Sequence, residues 1–304
     1  MAADASLARK PARPGAVADL VELMRVHQWM KNGFVFVGLI FGHAWTQPDM
    51  VLAAVLAAAA FSLAASAIYI INDFADLPRE RSHPVMRHRP LASGRVPLPA
   101  ARALCGLLLC TSAVLGWMAG PVVLAIIAAY VAMNIAYSHA LKHVVVLDVF
   151  VIAAGFILRI LAGTLGIGIA PSQWLLVCSL LLTLFLGFAK RRAELLKSAR
   201  SGVAAHRKTL SLYSPELLDK YIGICAGGAI LAYSLYTMSP QTAALHGTQN
   251  LVYTVPFVVY GVFRYLYLLH AAQAGTDTSR DLVRDPHLIA SVLGWLAATL
   301  VLIA

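Results

Sequence analysis

Charged residues are scarce in this sequence. Asp, Glu, Lys and Arg make up 12% of the 304 residues, whereas hydrophobic residues make up 60%. Because soluble globular domains carry about 25% charged residues, this deficit excludes an ordinary soluble fold and predicts a chain that lies mostly within a membrane. A spanning helix needs about 20 apolar residues, so the chain has room for a single bundle of about eight to ten such helices.

Cysteine is also scarce, and its spacing argues against two kinds of site. The four cysteines all lie within apolar runs, at Cys105, Cys110, Cys178 and Cys225. A buried thiol usually behaves as a small hydrophobic group. Neither a CxxC pair nor a Cys/His metal spacing occurs, so we expect no disulfide and no zinc site. The polar N-terminus is not followed by a compact apolar segment with a cleavage site, so we also expect no cleaved signal peptide.

Turn residues mark most of the breaks between long apolar runs, which predicts an all-α, polytopic membrane bundle of about nine transmembrane helices. The runs that we expect to span the membrane are 33–47, 50–72, 99–118, 121–138, 147–167, 172–190, 219–238, 250–270 and 287–304. We expect residues 1–304 to form a single integral membrane domain, with 1–18 as a flexible cytoplasmic arm. Residues 20–31 combine apolar side chains at helical spacing with basic ones, a pattern typical of a helix at the membrane interface.

Lysine and arginine are missing from every second loop. The loops at 73–98, 139–146, 190–218 and 271–286 contain these residues, whereas the intervening loops contain none. The positive-inside rule then places the charged loops and the N-terminus in the cytoplasm and the C-terminus outside. The net charge of +10 is therefore a feature of one membrane face, and we expect no nucleic-acid partner. The pattern indicates a multi-pass protein of a bacterial inner membrane.

An acidic cluster follows directly on the second expected span and contains Asn72, Asp73, Asp76 and Glu80. Carboxylates at the end of an apolar helix are costly and tend to be functional. Asp73 and Asp76 share a helix face, and Glu80 joins them one turn later unless Pro78 breaks the helix. Such carboxylates repel one another unless a cation lies among them, and Mg²⁺ typically takes one or two carboxylates together with substrate phosphate oxygens. The alternative is a solvated acidic loop that pairs with its own arginines.

Basic residues follow the acidic cluster, with Arg87 and Arg89 beside a proline-containing turn. Arginine binds phosphate through two parallel hydrogen bonds. Acids for a metal and arginines for phosphate within one loop suit a phosphate-ester substrate. The alternative is that these arginines only mark the cytoplasmic side.

Further candidate residues lie near other span ends. Asp148 and Arg159 are eleven residues apart, about three helical turns, on one face of the fifth expected span. A charge three turns inside a span normally faces a watery cavity or the bundle interior, and the alternative is a buried structural pair. The other candidates for anion binding are Lys31, Tyr137, Lys142, Lys190, Arg191 and Arg192.

Residues 72–94, NDFADLPRERSHPVMRHRPLASG, resemble the first aspartate-rich motif of the UbiA-type polyprenyltransferase superfamily. Asn72, Asp73 and Asp76 match this motif, whereas Glu80 stands where an aspartate is usual. The resemblance implies the all-helical membrane fold of that superfamily over nearly the whole chain. Within it, the sequence is similar to the decaprenyl-phosphate phosphoribosyltransferase branch in RVHQWMKN at 25–32, His83-Pro84, YSHALK at 137–142 with Asp148, GFILR at 155–159, GFAKRRAEL at 187–195 and the DPHL step at 285–288.

One departure favours that branch. Aromatic prenyltransferases of the superfamily usually carry a second acidic motif with paired aspartates four residues apart. Here Val144 and Ile152 flank Asp148 at that spacing. With a single carboxylate, Asp148, beside Lys142 and Arg159, this second motif would be suited to binding an anion rather than a metal.

The resemblance implies transfer of 5-phosphoribosyl from phosphoribosyl diphosphate (PRPP) to a polyprenyl phosphate of the decaprenyl type, with release of diphosphate. It implies Mg²⁺, with Mn²⁺ as an alternative, held by Asp73, Asp76 and Glu80. The catalytic residues would be Asp73, Asp76 and Asp148. The substrate-binding residues would be Lys31, Asn72, Arg87, Arg89, Tyr137, Lys142, Arg159, Lys190, Arg191 and Arg192. Membrane lipids are the expected surroundings, and the sequence is compatible with a homo-oligomer.

Two other functions fit the sequence. A prenyltransferase that moves a prenyl group from a prenyl diphosphate to a small aromatic acceptor would use the same first motif. A transporter of an anionic solute would need charges near the middle of the membrane and broken helices. Here the charges lie mostly at helix ends on one face, which favours an enzyme.

Overall fold

The computed structural model describes residues 15–82, 86–201, 208–271 and 285–303. Within these ranges every regular element is a helix. The α-helices are α1 (Ala16–Met24), α2 (Val37–Phe41), α3 (Pro48–Ser82), α4 (Leu98–Ala119), α5 (Pro121–His139), α6 (Leu147–Ala162), α7 (Gln173–Ser201), α8 (Pro215–Met238), α9 (Pro240–His246), α10 (Val255–Ala271) and α11 (Pro286–Ile303). The 3₁₀ helices are Val26–Phe36, Met86–His88, Leu141–His143, Leu165–Ile167, Lys208–Leu212 and Asn250–Thr254. Residues 1–14, most of the expected N-terminal arm, lie outside the described residues, as does the His83-Pro84 step.

Eight of the described helices are long and apolar enough to cross a membrane. They are α3, α4, α5, α7, α8 and α11, together with α6 and its following 3₁₀ turn and α10 and its preceding one. The all-α membrane bundle predicted from the sequence is therefore confirmed, with eight such helices where about nine were expected. The expected span at 33–47 accounts for the difference.

The segment 26–41 runs along the bundle in an unusual form. Val26–Phe36 is an 11-residue 3₁₀ helix, followed by the five residues of α2. A 3₁₀ helix rises about 2.0 Å per residue and an α-helix about 1.5 Å, so the two pieces together cover about 30 Å, the thickness of the hydrocarbon core. Trp29 donates a hydrogen bond to Ser66 at 3.0 Å and Asn32 donates one to Ser62 at 2.9 Å, so the segment lies antiparallel to α3. It spans the bundle with fewer residues than an α-helix of that length would need, and we call it the first crossing.

Two glycines bring the first crossing against the end of α6. A Cβ atom at Gly38 would collide with the carbonyl oxygen of Gly163, and a Cβ at Gly163 would collide with that of Val35. These backbones are in direct contact, so no larger residue fits at either glycine.

Three hydrophobic clusters form the interior of the described part of the chain, and α6 belongs to two of them. One joins the first crossing, α3 and α5 around Phe61 and Ile127. The other joins α7, α8 and α10 around Phe185 and Ile222, with Val149 from the start of α6. Residues near the start of α6 therefore lie between the two halves of the bundle.

The two ends of the bundle differ in charge. The end where α3 finishes and α6 begins carries Asp73, Asp76, Lys142, Asp148 and Arg191, and we call it the charged end. The opposite end contains His43, two residues after the first crossing, which is hydrogen-bonded to His246 of α9 at 2.6 Å. The acidic cluster predicted as a site from the sequence therefore lies at the charged end.

Candidate active site

The acidic cluster is part of α3. The helix continues through Pro78 to Ser82, so Pro78 does not end it. Asp73 and Glu80 lie seven residues apart on one helix face, and they are only 2% and 1% exposed. The side chain of Asp76 is 23% exposed and faces the same end of the bundle. Burial of two carboxylates is costly unless each has a cationic partner.

Each acid of the cluster is paired with a cation from another segment. Arg25 donates to Asp73, and Arg89 donates to Glu80 and lies 3.5 Å from Asp73. Lys142 donates to Asp76 at 2.9 Å. The structure therefore brings together six side chains of the charged end around the last turns of α3, and two of the cations, Arg89 and Lys142, were predicted as substrate ligands.

Arg25 was not among the predicted site residues. It lies between α1 and the first crossing with φ 51° and ψ 48°, a left-handed conformation that residues other than glycine rarely adopt. Its guanidinium also lies 5.0 Å above the ring of Tyr69. Its place at the head of the RVHQWMKN stretch was the available signal in the sequence.

The donor set of the cluster fits a metal that is shared with substrate. Within the described residues, no three His, Cys, Asp or Glu side chains converge as a complete metal site. The Oε2 atom of Glu80 is buried and has no hydrogen-bond partner there. Mg²⁺ typically needs only one or two carboxylates when phosphate oxygens complete its shell. Asp73 and Asp76 would hold it, with the uncommitted Glu80 oxygen as a third donor.

A second network surrounds Asp148, which is fully buried. Its Oδ2 atom accepts a hydrogen bond from Arg191 at 2.9 Å, and its Oδ1 atom accepts one from the Tyr213 hydroxyl at 3.1 Å. Arg191 is 1% exposed and also donates to Glu194 at 2.5 Å. Burial raises the pKa of Tyr213 to about 12, so its hydroxyl remains a hydrogen-bond donor at neutral pH. Asp148 and Arg191 thus engage each other inside the protein, near the cluster on α3.

Arg159 lies deeper in the bundle. Its guanidinium donates to Asn32 at 2.6 Å, to the carbonyl oxygen of Gly155 at 2.7 Å and to the Tyr130 hydroxyl at 3.2 Å. It is 5% exposed, and all three partners are uncharged. The pair between Asp148 and Arg159 that the sequence allowed is not formed, because Asp148 pairs with Arg191.

The remaining predicted residues lie in several places at the charged end. Asn72 accepts a hydrogen bond from Ser138 of α5. Arg192 forms an ion pair with Asp219 at 2.6 Å on α8, so it faces a different helix from Arg191. Arg87 is exposed and contacts His88. The other three, which are all partly buried, are Lys31, Tyr137 and Lys190.

A sequence model of the UbiA prenyltransferase family matches residues 33–283. The decaprenyl-phosphate phosphoribosyltransferase of Mycolicibacterium smegmatis is 32% identical over 310 aligned residues, which cover 96% of this chain and 96% of the relative. The enzyme of the same name from Corynebacterium glutamicum is 32% identical, and the alignment covers 89% of this chain and 80% of that enzyme. The nodulation protein NoeC of Azorhizobium caulinodans is 31% identical, and the alignment covers 90% of this chain and 89% of NoeC.

The fold is also that of solved family structures. A UbiA homolog from Archaeoglobus fulgidus bound to GPP and Mg²⁺ superposes with a TM-score of 0.70 at 18% sequence identity, covering 94% of this chain and 99% of that one. The sequence motif, the helical bundle and the family match over 33–283 agree. This chain is therefore a transferase-type membrane protein that belongs to the UbiA prenyltransferase family.

Proposed function

We propose that this protein transfers the 5-phosphoribosyl group of PRPP to a polyprenyl phosphate of the decaprenyl type and releases diphosphate. The observation that carries the proposal is the set of ion pairs on α3, where Asp73, Asp76 and Glu80 are held by Arg25, Lys142 and Arg89. When an anionic substrate enters with a metal ion, these ion pairs can open. The carboxylates can then bind the metal, and the cations can bind the phosphate oxygens. The names of the 32%-identical relatives support this donor and acceptor.

The residues of the chain would divide the work of binding the donor. Asp73 and Asp76, with Glu80, would hold Mg²⁺ or Mn²⁺, which would neutralise the charge that develops on the leaving diphosphate. Arg25, Arg89 and Lys142, released from their carboxylates, would turn to the phosphate oxygens. Arginine is suited to this role because its planar fork binds two oxygens at once.

The reaction itself requires little proton transfer. The bond between C1 of the ribose and the diphosphate oxygen breaks, and the diphosphate leaves with the electron pair. An ionised oxygen of the lipid phosphate then bonds to C1 from the opposite face, so the configuration at C1 is inverted and no general base is needed. Asp148 lies at the charged end with its charge engaged by Arg191, where it would help to shape the site.

The charged end would face the cytoplasm of a bacterial inner membrane, where a soluble sugar diphosphate is available. The positive-inside distribution of lysine and arginine supports this orientation. The lipid tail would leave the site sideways between helices into the surrounding membrane lipids. Membrane vesicles with a protease-accessible tag at the N-terminus would test the orientation.

A donor assay tests the proposed function. Purified protein in detergent should release diphosphate from PRPP only when both polyprenyl phosphate and Mg²⁺ are present, and Asp76→Asn should abolish the release. Turnover with a prenyl diphosphate and a small aromatic acceptor instead would overturn the choice of substrates within the family. Solute flux in proteoliposomes without any product would support a transporter.

A further inference from the structure

A strained turn connects the two parts of the active site. Val146 has φ 69° and ψ −48°, close to the strained form of the γ-turn, a region that β-branched residues rarely adopt. Such a conformation persists only where neighbouring structure holds it. Val146 directly precedes α6, and its carbonyl oxygen accepts hydrogen bonds from Val149 at 3.0 Å and Phe150 at 3.1 Å. The conformation of Val146 therefore sets the direction in which α6 begins.

The hydroxyl of Tyr213 holds this turn. It accepts a hydrogen bond from the backbone N–H of Val146 at 2.6 Å and donates one to Asp148 at 3.1 Å. Tyr213 is 5% exposed and comes from a distant part of the chain, just before α8. One oxygen atom thus satisfies the N–H of the strained residue and orients the carboxylate two residues later.

The same turn ends the segment that carries Lys142. Lys142 lies in the 3₁₀ helix Leu141–His143, and its ammonium group donates to Asp76. The N–H of Val144 donates to the carbonyl oxygen of Leu141 at 3.2 Å, and the N–H of Asp148 donates to that of Val144 at 3.1 Å. Because these hydrogen bonds are continuous from Leu141 into α6, a change of conformation at Val146 would move Lys142.

We propose that Tyr213 is a positioning residue of the active site. Its hydroxyl holds Val146 in the strained conformation, and this conformation places Lys142 against Asp76 on one side and Asp148 against Arg191 on the other. Tyr213 itself contacts no substrate in this proposal. The inference relies on the proposed function only for its kinetic readout.

Tyr213→Phe removes the hydroxyl and keeps the ring. Loss of its two hydrogen bonds, to Val146 and to Asp148, should raise the KM for PRPP about fivefold to tenfold, with a smaller change in kcat, because Lys142 acts on the bound donor. Val146→Gly should restore most of the loss in the double variant, since glycine adopts positive φ without strain and no longer needs the hydroxyl. A defect in Tyr213→Phe that Val146→Gly leaves in place would overturn the proposal.

Tyr233→Phe provides the matched control. Tyr233 is also buried, and its hydroxyl bonds to Thr254 at 2.6 Å and accepts from Trp295 at 2.7 Å, in the part of the bundle near His246 and Tyr236. A similar hydrogen-bonded hydroxyl is lost there, so thermal stability should fall while the KM for PRPP stays unchanged. An equal rise of KM in both variants would show a general loss of structure and would count against a positioning role.

Amide hydrogen exchange tests the positioning role without any activity. In the full-length protein in detergent, peptides covering 141–148 should exchange faster in Tyr213→Phe than in the wild type, and at the wild-type rate in Tyr233→Phe. Unchanged exchange over 141–148 in Tyr213→Phe would overturn the inference. If the wild type does not turn over PRPP, the proposed function fails, and this exchange comparison still decides the role of Tyr213.

Discussion

The guanidinium of Arg25 donates a hydrogen bond to the carboxylate of Asp73, which lies 48 residues later in the chain. The pair joins the start of the first crossing to the acidic turns of α3. Asp73 is almost fully buried, so its charge needs a partner, and Arg25 supplies it. In the proposed function Arg25 would change partners between Asp73 and a substrate phosphate, and we therefore expect it to contribute to activity as well as to stability.

Arg25→Gln should lower kcat/KM for PRPP about tenfold to 100-fold, because hydrogen bonds to charged groups contribute about 1.5–3 kcal/mol. Arg25→Lys should lose less, since the charge remains but the planar fork is lost. Steady-state kinetics in detergent would measure both. An Arg25→Gln enzyme with wild-type kcat/KM would show that the pair with Asp73 is purely structural.

Arg264 offers a closely matched control for Arg25. Its side chain is 26% exposed, against 25% for Arg25, and it pairs with Asp285 at 2.7 Å. It also lies 5.2 Å above an aromatic ring, that of Tyr267. Because this pair joins α10 to the start of α11, away from α3, Arg264→Gln should lower the melting temperature without a change in the KM for PRPP.

Substitution of the α3 carboxylates should lower turnover far more than substitution of the cations that pair with them. Asp73→Asn and Asp76→Asn keep the shape of each side chain and remove the charge that a metal requires. We expect turnover to fall at least about 100-fold in each variant while the protein still inserts into membranes and remains folded. Activity measured across a range of Mg²⁺ and Mn²⁺ concentrations would check this. Full activity of either variant at low metal concentration would contradict the assignment of the metal ligands.

The acidic cluster could be predicted because its residues are contiguous. Asp73, Asp76 and Glu80 occupy one helix face, and a helical repeat is enough to place them together. The cationic partners of these acids could not be predicted in the same way, since Arg25 and Lys142 belong to other segments whose positions depend on tertiary packing. The alternative of a solvated acidic loop that pairs with its own arginines is confirmed only in the pairing of Arg89 with Glu80. It is wrong about solvation, because Asp73 and Glu80 are buried within α3.

Arg159 shows the limit of reasoning from a shared helix face. It lies three turns beyond Asp148, a rise of about 16 Å, which is too far for their side chains to meet. Arg191, from the next helix, forms the ion pair with the carboxylate of Asp148 instead. The uncharged partners of Arg159, Asn32 and Tyr130, lie on other helices, so only the packing of the first crossing against α5 and α6 identifies them.

His246 should make the stability of the protein depend on pH. Burial, reinforced by the neighbouring His43, lowers the pKa of His246 to about 4 from its usual 6.5. Between these values the unfolded chain binds a proton that the folded protein does not, so the stabilising contribution is complete above pH 6.5 and is lost as the pH falls toward 4.

Melting curves in detergent across this range would measure the effect. The wild type should lose a few °C more than His246→Gln between pH 6.5 and pH 4, because glutamine keeps hydrogen-bonding groups for His43 and Tyr236 but does not titrate. If the melting temperatures of the two proteins fall equally between pH 6.5 and pH 4, a depressed pKa at His246 is contradicted.

The contact between Gly38 and Gly163 should be essential for the first crossing. A run of only 16 residues spans the bundle here, 11 of them as a 3₁₀ helix and five as α2, and its backbone lies directly against the end of α6. This contact could not be predicted from the sequence, because an apolar run predicts an α-helix whichever neighbour it meets. Gly163 has φ −87°, which any residue can adopt, so the requirement for glycine is purely steric.

Gly38→Ala and Gly163→Ala should therefore each destabilise the protein by about 1–3 kcal/mol or prevent its folding, because the added methyl group has to displace backbone. Gly223→Ala in α8 is the matched control, since a Cβ there meets no atom within 4 Å. That substitution should stabilise the helix by about 0.5–1 kcal/mol, because alanine restricts the unfolded chain and favours helix. Melting temperatures of the three variants in detergent would check the prediction. A Gly38→Ala protein as stable as Gly223→Ala would show that the first crossing can move away from α6.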